Sequence, residues 1–208
     1  MNGGGKSSVT LSINDDGTVA LLEGSADIGG TRPSISMQAA EILGLAAEDM
    51  FPRIPDTDGV GYTGMTGGSR TTFATGWAAV NAANNLVDEL KNRLCMIWEI
   101  DKKEIEFYKG TFNSKSDPEL KINFKDVAKK LDGTGGPVSA VGSVDLDSSS
   151  HGFGTHVVDL EIDPETGKTD IIKYTAVQDV GKAIHPAYVE GQIQGGAAQG
   201  IGWALNEE

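Results

Sequence analysis

Two short loops carry the residue types best suited to chemistry. "GMTGGSRTT", residues 64–72, delivers Gly67, Gly68, Ser69, Arg70 and Thr71 to the start of a long apolar-periodic stretch. "DIGGTRP", residues 27–33, places Ile28, Gly29, Gly30, Thr31 and Arg32 ahead of a second such stretch, which opens with Pro33. A helix N-terminus exposes unpaired N–H groups and about half a positive charge. Glycines ahead of it let the backbone close on an anion, and hydroxyl and guanidinium groups add donors. One such loop reads equally well as turn glycines before an N-cap hydroxyl. Two, each holding one of the chain's four arginines, point to a shared phosphorylated ligand. A third glycine-rich run, "EGQIQGGAAQG" at 190–200, offers Gln192, Gln194 and Gln199, which suit either hydrogen bonds to a heterocycle or a solvated helix surface.

Other signals carry less. "GGGKSS" at residues 3–8 imitates the tail of a phosphate-binding loop but has neither the earlier glycine nor the preceding strand. "GVGYTG" at 59–64 has dinucleotide-loop spacing, yet it follows a proline-broken segment and opens no immediate helix. His151 and His156 lack a second pair of metal ligands and read as loop and strand histidines. The single cysteine, Cys95, lies beside Met96 in a helical pattern and reads as a small core residue.

The elements that must position these loops alternate between strand and helix periods. "SSVTLSI" and "TVALLEG" flank "NDDG", a hairpin signal. "PSISMQAAEILG" predicts a helix, with Pro33 in its first turn and Gly44 as its stop. "MFPRIP" fits only an edge strand, because prolines exclude a central one. Apolar spacing from Thr72 to about Trp98 predicts a long helix. "EIEFYK" reads as a strand, "FKDVAKKL" as a short helix, and "TGGPVSAVGSVDLDSSS" as loop-rich. "FGTHVVDLEI" and "TDIIKYTAVQDV" form strands around "DPETG", and a closely packed helix ends the chain. The expected class is therefore α+β, antiparallel hairpins packed with helices, with two pseudo-repeated β-β-loop-α units. The repeat suggests sub-units 1–100 and 101–208 within one domain spanning 1–208.

Bulk composition narrows the partners. The 208 residues carry a formal net charge of −13, which disfavours nucleic acid and anionic membranes. No run approaches the ~18 apolar residues of a membrane span. One cysteine excludes a disulfide framework, and a reducing cytoplasm is the default.

"GSADIGGTRPSISMQAAEILGL", "GMTGGSRTTFATGWAAVNAA", "DLEIDPETGK" and "QDVGKAIHPAYVEGQIQGGAAQGIGWAL" occur here in order. Together they resemble the molybdenum-binding subunit of the xanthine dehydrogenase and aldehyde oxidase family, over nearly the whole chain. The resemblance implies that Ile28, Gly29 and Gly30 touch the pterin of a molybdenum cofactor. It implies that Gly67, Gly68, Ser69 and Thr71 hold the pterin or its phosphate tail, with Gln192 and then Gln199 as the approaching glutamine. Many members carry glycine followed by glutamine in the first loop, where this chain has Gly29-Gly30. Arg32 and Arg70 would suit a cofactor extended as a cytosine dinucleotide. The catalytic glutamate of the family is expected beyond residue 208, which makes the chain part of a larger subunit. Iron–sulfur and flavin centres are expected on partner domains, and the implied reaction is hydroxylation of an aldehyde or N-heterocycle. The competing readings are a stand-alone binding domain for another phosphorylated ligand and a structural or assembly module.

Overall fold

A computed structural model describes residues 5–53, 55–147 and 151–207. The chain forms two compact units, residues 1–149 and 150–208.

The first unit is built on a four-stranded sheet. Strand β1 (Gly5–Ile13) and strand β2 (Val19–Glu23) form the expected hairpin, with Val9 opposite Glu23 and Ile13 opposite Val19. Their alternation buries Val9, Leu11, Ile13, Val19 and Leu21 on one face. Helix α1 (Thr31–Leu43) follows, and Gly44 ends it in the left-handed conformation that glycine adopts without a Cβ penalty. Strand β3 (Met50–Arg53) pairs parallel to β2 at the sheet edge, where Pro52 is tolerated. Helix α2 (Thr71–Trp98) runs 28 residues and packs Ala78, Ala82, Leu86, Leu90 and Leu94 against the sheet and α1.

Residues 101–147 return to this same unit. Strands β4 (Ile105–Tyr108), β5 (Thr111–Ser114) and β6 (Lys121–Asn123) form a small antiparallel sheet, followed by the short helix α3 (Phe124–Ala128). Strand β7 (Ser139–Leu146) then pairs antiparallel with β1 along eight residues and completes the order β3-β2-β1-β7. The sequence reading treats this stretch as loop, because its inward positions are Ala140 and Gly142 rather than large apolar residues. The cause is α2. A Cβ at Gly142 would overlap the backbone of Ala78 and Ala82, so only glycine lets strand and helix approach so closely. From the helix, Asn81 and Asn85 donate to the β7 carbonyls of Ser143 (3.4 Å) and Val141 (2.8 Å).

The second unit is an antiparallel hairpin of β8 (Phe153–Ile162) and β9 (Thr169–Asp179), then helix α4 (Pro186–Leu205). His185 caps α4 by accepting the Tyr188 N–H (3.4 Å), with its ring stacked on Tyr188. None of the described residues of this unit is buried. The hairpin-loop-helix order expected twice in the chain is present in both units.

Candidate functional site

The two glycine loops meet. Thr66 Oγ1 donates to the Ala26 carbonyl (3.4 Å), which joins the second loop to the first. Gln38 on α1 donates to the Thr72 carbonyl in the first turn of α2 (3.1 Å) and lies over Gly76, where a Cβ would collide with it. The starts of both helices are thus locked side by side, although some 35 residues separate the loops in sequence.

Their chemistry differs. Ahead of α1, Gly29 and Gly30 both have positive φ (68° and 74°), and Ile28 stands out into solvent at 59% exposure. The start of this helix already holds an anion, because Asp27 Oδ1 accepts the Arg32 N–H (3.2 Å) and the Thr31 hydroxyl (3.3 Å). Ahead of α2, Gly68 (φ 60°) and Ser69 (φ 58°) are left-handed in succession. A left-handed serine is uncommon and is retained where surrounding structure demands it. Among the described residues, no N-cap side-chain hydrogen bond closes α2, and its first turn holds no acidic residue. The Thr71 hydroxyl lies 3.4 Å from that of Thr66. The second loop therefore offers backbone donors to an anion, and the first offers an exposed apolar tip beside it.

Both arginines, expected at the ligand, make contacts within the fold. Arg70 is 7% exposed, and its guanidinium turns inward. It donates to the carbonyls of Gly64 (3.0 Å) and Lys6 (2.8 Å) and to the Ser7 hydroxyl (2.8 Å), tying the start of β1 to the loop. Gly64 eases its placement, since a Cβ there would press on the guanidinium at 3.3 Å. Arg32 donates to the Ser25 carbonyl (3.2 Å) and faces the buried carboxylate of Glu23 at 3.7 Å. Both guanidiniums are engaged within the fold, Arg70 by three acceptors and Arg32 by Ser25 and Glu23. Arg-to-carbonyl clamps were missed because the accepting groups, on Lys6 and Ser25, carry no side-chain signature.

Gln192 and Gln199 belong to the second unit. Both are exposed on α4 and, seven residues apart, fall on one face about 10.5 Å apart, with Gly195 and Gly196 between them. Gln194 points to the other side of the helix. Among the described residues, no group of three or more His, Cys, Asp or Glu side chains converges to hold a metal. His156 is engaged by the Tyr174 hydroxyl (2.8 Å). Burial, aided by the charge of Asp101, pushes the Cys95 thiol above its ordinary value. Among the described residues, no helix is long and apolar enough to cross a membrane.

With this geometry in view, residues 1–208 match the molybdopterin cofactor-binding domain family, and the chain belongs to it. It is 29% identical over 204 residues to a putative xanthine dehydrogenase molybdenum-binding subunit of Escherichia coli K12, covering 95% of this chain and 27% of that one. It is also 29% identical over 210 residues to the 6-hydroxypseudooxynicotine dehydrogenase complex subunit gamma of Paenarthrobacter nicotinovorans, covering 95% and 26%. The crystal structure of quinoline 2-oxidoreductase from Pseudomonas putida 86 superposes with a TM-score of 0.81 at 26% identity, over 95% of this chain and 26% of that one. The chain thus spans about a quarter of the relatives it matches.

Proposed function

We propose that this chain seats the molybdenum cofactor within a larger molybdenum hydroxylase subunit. The observation that carries the reading is the uncapped start of α2 behind left-handed Gly68 and Ser69, set against the exposed loop at Ile28. Backbone N–H groups there, with the Thr71 hydroxyl, would hold the phosphate of the pterin. Ile28, Gly29 and Gly30 would lie against the pterin ring, and the family resemblance adds Gln192 and Gln199 as candidate cofactor-binding glutamines. Thr31, Arg32 and Arg70 act behind these contacts, as capping and clamping groups rather than ligands.

When bound, the cofactor supplies oxygen transfer to carbon and accepts the electrons released. The residues of this chain bind and orient it and exclude water from one side. The proton acceptor for the reaction lies outside them. Glu190 is an exposed helix residue and Glu207 has no glycine turn to aim it. The substrate class is an aldehyde or N-heterocycle, with iron–sulfur and flavin partners carrying electrons away, in the cytoplasm.

The test is cofactor analysis of the full-length protein purified with its native neighbours. Molybdenum and an oxidised pterin, with or without a cytosine nucleotide, should be released together in about equal amounts. A bound phosphate compound without a pterin would overturn the reading.

A further inference from the structure

Glu23, the last residue of β2, is 1% exposed, and a buried carboxylate is costly unless it is paired. Its Oε2 accepts the Ser25 N–H (2.6 Å) and the Ser25 hydroxyl. Its Oε1 sits 3.7 Å from Arg32 Nε. Among the described residues, neither of those two buried atoms has a hydrogen-bond partner, so each faces the other's charge. Arg32 in turn reaches back to the Ser25 carbonyl. Glu23 thereby grips both ends of the segment that carries Ile28, Gly29 and Gly30. An apolar pair of similar volume would serve stability equally well. What an ion pair adds is a fixed geometry at the base of the loop.

We propose that Glu23 is a positioning residue for the cofactor: with Ser25 and Arg32 it fixes the loop so that Ile28 and Gly29 are presented to the ligand. The proposal rests on the reading above that this loop faces the pterin. It also accounts for Arg32, whose positive charge is spent on Glu23 rather than offered to an anion.

The experiment compares Glu23→Gln, Arg32→Gln and the double variant in the full-length protein expressed with its native partners. Three quantities are measured: amide exchange of residues 26–31 without cofactor, molybdenum and pterin content, and thermal midpoint. Each single variant strands one buried charge and should speed exchange in the loop by about 10–100-fold, with a comparable loss of cofactor retention at limiting supply. The double variant leaves no uncompensated charge and should recover most of both. Additive losses in the double variant, or unchanged loop exchange in the singles, would overturn the ion-pair lock. Faster loop exchange with cofactor retention unchanged in all three variants would overturn the positioning role while leaving the lock intact. Absence of molybdenum from the unsubstituted protein would instead sink the functional reading, and the proposal with it.

Discussion

Arg70 shows how far residue type alone leads. Its place in a glycine loop at a helix mouth is visible in the sequence, but the direction of its side chain is not. That direction is set by carbonyls on Lys6 and Gly64 and the hydroxyl on Ser7, two of them on a strand over 60 residues away. Arg70→Ala should therefore lower stability by about 2–4 kcal/mol in chemical denaturation, since several buried acceptors lose a charged donor together. A loss under about 0.5 kcal/mol, the range of ordinary surface substitutions, would mean the clamp is not formed. Ser69 makes the opposite prediction. Relieving its left-handed conformation in Ser69→Gly should raise stability by up to about 1 kcal/mol, with the gain reduced by glycine's chain entropy. Asp27→Ala should cost about 0.5–2 kcal/mol by uncapping α1, and should raise sulfate affinity at the joined loops by removing a negative charge. Titration of the variant with sulfate, followed by chemical shift, reads both charge and site.

Elements with a strong period were legible; elements shaped by a neighbour were not. The long helix over Thr71–Trp98 and the hairpins around "NDDG" and "DPETG" follow from local pattern and turn chemistry. β7 does not, because α2 dictates small residues on its inner face and erases the alternation of large apolar ones. Gly142→Val tests the tight approach: it should cost about 1–3 kcal/mol or more, as overpacking against main chain cannot be relieved by a rotamer change. In the β8–β9 turn, the Thr166 hydroxyl and the Glu165 N–H hold the Asp163 carboxyl below its usual range. A group depressed in the fold adds stability above its unfolded pKa, which is lost as pH falls through the folded value. Turn amides should exchange faster on acidification below about pH 4, and Asp163→Asn should flatten that dependence.

At the scale of the whole molecule, the two units differ in kind. The first has a continuous apolar core from β1 through α2, whereas the second buries none of its described residues. Residues 1–149 alone should unfold in one cooperative transition, and residues 150–208 alone should show little secondary structure by circular dichroism. A cooperative transition in the smaller piece would show that the hairpin and α4 suffice for each other. The asymmetry extends to the sheet margins. Asn81 and Asn85 occupy outward carbonyls of β7, and Pro52 with a four-residue length blunts β3. The four-stranded sheet thus has both margins guarded against an incoming strand, while among the described residues the hairpin keeps margins of ten and eleven residues that pair only with each other. During synthesis, then, crowding endangers the smaller piece, and a nascent chain that lingers unfolded would begin to tangle there.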